Sequence, residues 1–278
     1  MAAKGISTRL DRVATSGALW FLAAFTLLPL LLIVIGSITP SGDLVTGFSV
    51  PSRVTGENFR HAWSSGQFAT HLKVSAIVTT SIVAVSAIGS IMAGFALGAL
   101  RTPFRGWLAL LFVVGIVVPY EALIIPLYYQ LRSYGLTDTY WALILPQSAL
   151  SLAFGVYWMR GFFRSIPTSF LETAWIEGAS SWRLLWEILV PLARPAIATM
   201  VILSFMWNWN EFLLPVVMIS DSDHATAPLA LANFQGRFDV NIAELTAAAI
   251  IVALPIIVLY VLLQRRFLAA FVKGTRVD

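Results

Sequence analysis

Apolar and polar positions alternate along this chain in long blocks. Six stretches of about 20 residues or more carry at most one ionisable side chain each: 17–38, 74–100, 107–131, 140–159, 196–220 and 242–263. A helix needs about 20 residues to cross the hydrocarbon core of a bilayer, so each stretch is long enough to span it. The pattern predicts an all-α integral membrane protein with six transmembrane helices, flanked by a polar N-terminus, 1–16, and a C-terminal tail, 264–278. A secretory signal peptide is the rival reading of the first stretch, but its length exceeds the roughly 7–15 residues of a signal-peptide core, so an uncleaved first span is expected. In the second, the Gly94-x-x-x-Gly98 spacing predicts close packing against another helix. Pro119 and Pro126 interrupt the third, with Glu121 between them, and Pro146 with Gln147 lies in the fourth.

The segment between the fourth and fifth spans, residues 160–195, has its own internal punctuation. Pro167 ends what precedes it, and Ser169 followed by Glu172 has the spacing of a capping box, predicting a helix from near Ser169. Leu171, Ala174, Trp175 and Ala179 follow at helical steps on one face, and Gly178 either tightens a turn or admits another backbone. A second short helix is predicted from about Ser181 to Leu189, closed by Pro191. A capped helix with aromatic and aliphatic side chains suits insertion into a partner's groove. Lying along the bilayer surface is the other reading.

Composition agrees with the blocks. Hydrophobic residues make up 58% of 278 and charged residues 12%, where a soluble domain has about a quarter charged. The net charge of +4 does not point to nucleic acid, because the basic residues are spread between apolar runs. Their distribution sets the topology. With both termini in the cytosol, thirteen basic residues lie inside: Lys4, Arg9, Arg12, Arg101, Arg105, Arg160, Arg164, Arg183, Arg194, Arg265, Arg266, Lys273 and Arg276. Five lie outside, namely Arg53, Arg60, Lys73, Arg132 and Arg237, in keeping with the positive-inside rule. Residues 160–195 are thereby expected in the cytosol.

Candidate chemistry is sparse. There is no cysteine, and His61, His71 and His224 are too scattered to bind a metal together. No G-x-x-x-x-G-K-[ST] loop holds a nucleotide and no Ser/His/Asp set suggests catalysis, so no catalytic site and no bound cofactor are expected. Inside the spans the ionisable residues are Glu121, Glu211 and Glu244, and charges at that depth ordinarily face a cavity, a partner or water. Glu244 lies within a turn of its span's outer end, which suits an interfacial place. Glu121 sits where two prolines free backbone carbonyls, as in a helix lining a passage. Trp207-Asn208-Trp209-Asn210-Glu211-Phe212 combines aromatic faces with amide and carboxylate groups, the set that stacks on a pyranose and satisfies its hydroxyls. Helix packing and interhelical hydrogen bonds account for the same residues equally well.

Glu172-Thr173-Ala174, Gly178, Ile188, Val190 and Pro191 resemble the EAA signature of ABC importer permeases, in which three residues separate the triplet from the glycine and nine more precede I-x-L-P. Thr173 replaces an alanine and Val190 a leucine. In that family the segment is the coupling helix, held in a cleft of an ATPase; the resemblance assigns that role to Ser169, Glu172, Ala174, Trp175, Gly178, Ala179, Ile188 and Pro191. The W-N-E-F segment, Asn58-Phe59, Ile125-Pro126-Leu127-Tyr128 and the stretch Pro228 to Phe234 resemble the carbohydrate-uptake branch, similar to the smaller permease of maltose transporters.

The resemblance implies a subunit of a bacterial or archaeal cytoplasmic membrane complex. Its partners would be a second, different permease, two subunits that hydrolyse ATP with Mg, and an extracytoplasmic solute-binding protein. Glu121, Gln147, Asn208, Asn210 and Glu211 would line the path, and Asn233, Phe234 and Gln235 in the last outer loop would meet the binding protein. The cargo would be a sugar or oligosaccharide, or a glycerol-phosphate compound. An ion-coupled secondary transporter is the competing class; it predicts internal repeats with matched broken helices, which the sequence does not show. An intramembrane enzyme would need a nucleophile or metal set.

Overall fold

The apolar runs fold as helices, and among the residues described in the computed structural model, 3–40, 51, 53–232 and 241–274, every regular element is helical. In order these are α1 (Ala3–Ile38), α2 (Glu57–Ser65), α3 (Phe68–Gly98), α4 (Arg105–Val117), α5 (Tyr120–Ser133), α6 (Tyr140–Arg164) and α7 (Thr168–Ile176). Then come α8 (Ser181–Trp209), α9 (Leu213–Met218), α10 (Ala227–Leu231) and α11 (Ile242–Gly274). Five of these are long and apolar enough to cross a membrane, and six spans result if α4 and α5 count as one.

The chain divides into two compact units, Met1–Phe68 with Leu231–Ala253, and Ala69–Ala230 with Leu254–Asp278. In the first, the end of α1 leaves backbone carbonyls without helical partners. Asn58 of α2, itself buried, donates its side-chain amide to the carbonyls of Ser37 at 2.9 Å and Thr39 at 2.7 Å. Asn58, the first residue of the Asn-Phe pair, therefore has a structural task. Gly36 of α1 lets Thr246 of α11 approach, since a Cβ there would stand 3.2 Å from its hydroxyl.

The second unit is organised on α3 and α6. Val74, Val78 and Ile82 share an apolar core with Ala142, Leu143 and Ile144, while Ile91 and Phe95 share another with Met159 and Phe163. The two helices therefore run parallel. A connection between parallel neighbours must cross from one end to the other, and α4 with α5 does so despite a 93° bend between them. The third span, expected as one interrupted stretch, is thus a broken one. Pro119 at the N-cap of α5 supplies the break, because its preceding residue is steered away from helix and Val118 is extended.

Lipid offers apolar side chains no driving force toward one another, so contact here depends on close backbone approach. The Gly94-x-x-x-Gly98 expectation is met in this way. A Cβ on Gly94 would lie 2.6 Å from Met159 Cβ and 3.0 Å from the Arg160 nitrogen, and one on Gly98 would lie 2.9 Å from the Arg160 carbonyl oxygen. Gly94→Val should therefore force α3 and α6 apart, an overpacking cost of about 1–3 kcal/mol. The expected result is a clearly lower unfolding midpoint in detergent. Gly161→Ala on α6, whose Cβ would meet nothing within 4 Å, should leave the midpoint unchanged or raise it.

Two expected helix boundaries are corrected. Pro191 does not close a short helix: Leu184–Leu189 form a π turn and the helix continues through Val190–Trp209. A proline clashes with the carbonyl four residues back in a regular α-helix, and the wider turn ahead of it accommodates the ring. The fifth span, expected over 196–220, instead breaks at Asn210–Phe212, and α9 resumes at Leu213.

Candidate functional site

Residues 165–191 form the first candidate. Pro167, in an extended conformation (φ −57°, ψ 136°), stands at the N-cap of α7 and no side chain caps it. The expected capping box from Ser169 to Glu172 is therefore not formed. Proline fixes the turn one residue early, which puts Ser169 inside the first turn, where its carbonyl accepts from the Thr173 hydroxyl at 2.9 Å.

The far end of α7 closes on Gly178, with φ +83° and nothing within 4 Å of where its Cβ would be. Of the two roles the sequence left open, the glycine makes the turn. Gly178 N–H donates to Trp175 O and Ala179 N–H to Ala174 O, each at 3.0 Å, the pair of bonds of a Schellman closure. Ser180 then accepts from the Arg183 N–H at 3.3 Å and caps α8. The sequence reading missed this cap, although a serine just before an apolar helix was the signal.

Burial sorts the predicted residues of this corner. Leu171 and Ala174 are buried in the core that contains Met159, Phe163 and Leu184, and Ala179 and Ile188 pack against it. Trp175 is more exposed than the shared face predicted, and it lines a cleft together with Glu172. Pro191 is exposed. Phe170, Ile176 and Trp182 project outward, with Ile176 87% exposed. The corner is thus a rigidly closed helix end with an apolar outer surface.

The second candidate lies at the two helix breaks. Tyr120, first in α5, donates its hydroxyl to Glu211 at 2.9 Å and 3.1 Å to the two carboxylate oxygens. Glu211 also accepts from the Leu214 N–H at 3.1 Å, satisfying a free amide of α9. One carboxylate therefore ties the break in the third span to that in the fifth. Asn208 donates to the Ser151 hydroxyl at 2.9 Å and to Ser204 O at 2.7 Å. Gln147 is buried, and its side-chain oxygen has no hydrogen-bond partner.

A cleft of about 220 Å³ brings Tyr120, Gln147, Ser151, Trp207, Asn208 and Glu211 together. Phe154 meets Trp207 edge to face at 4.8 Å between ring centres. Ser151 stands near the middle of α6, so the cleft lies about 16–20 Å along the helix from either end. Three of the five predicted path residues, Gln147, Asn208 and Glu211, meet here. Two do not: Glu121 is exposed in the first turn of α5, and exposed Asn210 donates to Met206 O at 2.8 Å. The two tryptophans also separate, since Trp209 is buried and stacked on Phe205 while Trp207 lines the cleft.

Near the opposite end of α6 from Arg164, the Asp138 carboxylate accepts the backbone N–H groups of Ser220 and Asp221, the latter at 3.0 Å. The Asp223 backbone N–H, and next the His224 side chain, hold the Asp221 carboxyl below the usual carboxylate range. Asn233, Phe234 and Gln235 lie outside the described residues. No group of three or more His, Cys, Asp or Glu side chains among the described residues could hold a metal.

Residues 86–272 match the family described as the binding-protein-dependent transport system inner membrane component. The chain is 30% identical over 260 residues to the diacetylchitobiose uptake system permease protein NgcG of Streptomyces coelicolor, covering 92% of this chain and 85% of that one. It is 32% identical over 252 residues to the trehalose transport system permease protein SugB of Mycobacterium tuberculosis, covering 90% and 92%. The fold is similar to that of a bacterial ABC transporter involved in the import of the acidic polysaccharide alginate, with a TM-score of 0.80 and 22% identity over 94% of this chain and 98% of that one. With its spans, its broken helices and these likenesses, the chain belongs to the binding-protein-dependent inner-membrane components, the permease subunits of ABC importers.

Proposed function

We propose that this chain forms half of the translocation path of a sugar or oligosaccharide importer and transmits ATP hydrolysis by partner subunits through α7. The observation that carries the coupling role is the closed corner at Gly178, which presents Phe170 and Ile176 of the short helix α7 beside Trp182 in the first turn of α8. Such a knob fits an apolar groove on an ATPase. In this reading Ser169, Glu172, Ala174, Trp175, Gly178, Ala179, Ile188 and Pro191 shape or seat the knob, and both termini and residues 160–195 are cytosolic, as the basic residues favour. The chain contributes no catalytic site; two partner subunits hydrolyse ATP with Mg, a second permease completes the path, and an extracytoplasmic binding protein delivers cargo. Residues 233–235 meet that protein.

Sugar as cargo is supported by the named substrates of the relatives, diacetylchitobiose and trehalose, and by the chemistry of the mid-span cleft. Trp207 offers an aromatic face beside Gln147, Asn208 and Glu211, whose amides and carboxylate pair with hydroxyls. Glu121 and Asn210 face the second permease across the passage. The test is uptake by proteoliposomes that contain the complete complex and its binding protein. Transport should require internal ATP and persist when a protonophore collapses the proton gradient. Uptake driven by an ion gradient without ATP would overturn the reading.

A further inference from the structure

The cleft that Glu172 and Trp175 line, of about 460 Å³, opens where α3 and α6 end and is roofed by α7. Arg101, Arg105, Arg160 and Arg164 line it together with Thr168 and Glu172, so four basic residues and one acidic residue border the same space. Two local features bring them together. The glycine contacts press the backbone of Arg160 and Arg164 onto the end of α3. Phe104, in a left-handed conformation with φ 55°, then turns the chain so that Arg101 and Arg105 approach the same cleft.

None of the four arginines has a carboxylate within 4.0 Å among the described residues, and the Arg160 Nε is buried without a hydrogen-bond partner. Like charges gathered at a helix end in this way repel one another unless an anion joins them. Planar guanidinium groups suit phosphate oxygens in particular. We propose that this cleft is a binding site for a phosphate group, carried by an anionic phospholipid of the adjoining leaflet or by free inorganic phosphate. The surroundings match the lipid source. Phe104 is 78% exposed and Trp107 74% exposed beside the arginines, an aromatic rim of the kind found at headgroup depth. Basic pockets between transmembrane helices hold anionic headgroups in the same way. Because α3, α6 and α7 all contribute to the wall, an occupant would tie α7 to the ends of the two central helices.

The test uses the assembled transporter in neutral detergent, with bound lipid read by native mass spectrometry during titration with phosphatidylglycerol or phosphatidylcholine, each with and without inorganic phosphate. Wild type should take up phosphatidylglycerol at a saturable site about tenfold more tightly than phosphatidylcholine, the scale set by several basic charges beside an anionic headgroup. The Arg101→Gln/Arg105→Gln pair should lose about tenfold of that affinity, while Arg101→Lys/Arg105→Lys, which keeps the charge, should retain most of it. Displacement of lipid by inorganic phosphate, or phosphate binding that the same Gln pair abolishes, would assign the free anion as the source. Equal retention of both lipids with no phosphate binding overturns the proposal. So does an unchanged affinity in the Gln pair, or a cross-link showing an acidic side chain of a partner subunit seated on the arginines.

Discussion

Gly178→Val is expected to reduce transport by about a hundredfold, the scale of a functional group displaced by about 1 Å, while the subunit still reaches the membrane. The cause is specific. A Cβ at this position would meet nothing within 4 Å, so the isolated chain has room for a side chain. What it lacks is a tolerable backbone: φ is +83°, which costs an L-residue roughly 1–2 kcal/mol and is worse for a branched one. Relief of that strain opens the bonds from Gly178 to Trp175 and from Ala179 to Ala174, and α7 loses its fixed exit. Asparagine tolerates the left-handed region, so Gly178→Asn should retain most of the activity. The measurement is sugar-stimulated ATP hydrolysis and uptake in the reconstituted complex. If valine and asparagine lower transport equally, the open space at Gly178 is filled by a partner and the backbone explanation fails. If valine leaves transport intact, α7 is not the coupling element.

Glu211→Ala should lower uptake by about tenfold to a hundredfold, since it removes hydrogen bonds to a charged group worth about 1.5–3 kcal/mol. The alanine leaves the Tyr120 hydroxyl and the Leu214 N–H without their acceptor at the junction of two broken spans. Tyr120→Phe should cost less, because Glu211 keeps its bond to α9. Glu211→Gln, which preserves an acceptor of the same shape, should recover part of the loss. A double-mutant cycle on uptake and on unfolding in detergent decides the matter: coupling between positions 120 and 211 of about 1–2 kcal/mol is expected for groups in one network. Strict additivity would mean that the two breaks move independently and that the carboxylate has another task.

Much of the architecture could be read from the order of residues. Apolar blocks longer than a bilayer is thick located the spans, and Gly94 with Gly98 announced a close approach that the structure makes against Arg160. Gly178 announced a turn. Local rules failed where two of them competed. Ser169 and Glu172 had capping-box spacing, but Pro167 had already set the helix start. Pro191 had the form of a terminator, but the π turn at Leu184–Leu189 absorbs it. The break after Trp209 carries no proline or glycine of its own and showed only as a polar cluster inside an apolar run. The contact between Tyr120 and Glu211 joins residues 91 apart in the chain, and no spacing rule reaches that far. Gln147, Asn208 and Glu211 were expected on the path from the resemblance together with their polar chemistry, and all three line one mid-span cleft.

The continuity of α8 through its π turn has one more consequence. Ser181 beside the Gly178 corner and Asn208 in the mid-span cleft belong to a single 29-residue helix, about 40 Å from end to end. With no loop between them to take up slack, the two ends behave as a connecting rod. Under the proposed coupling, a thrust at one end travels to the other, and the rod has two points built to bend, the widened turn at Leu184–Leu189 and the interior Pro195.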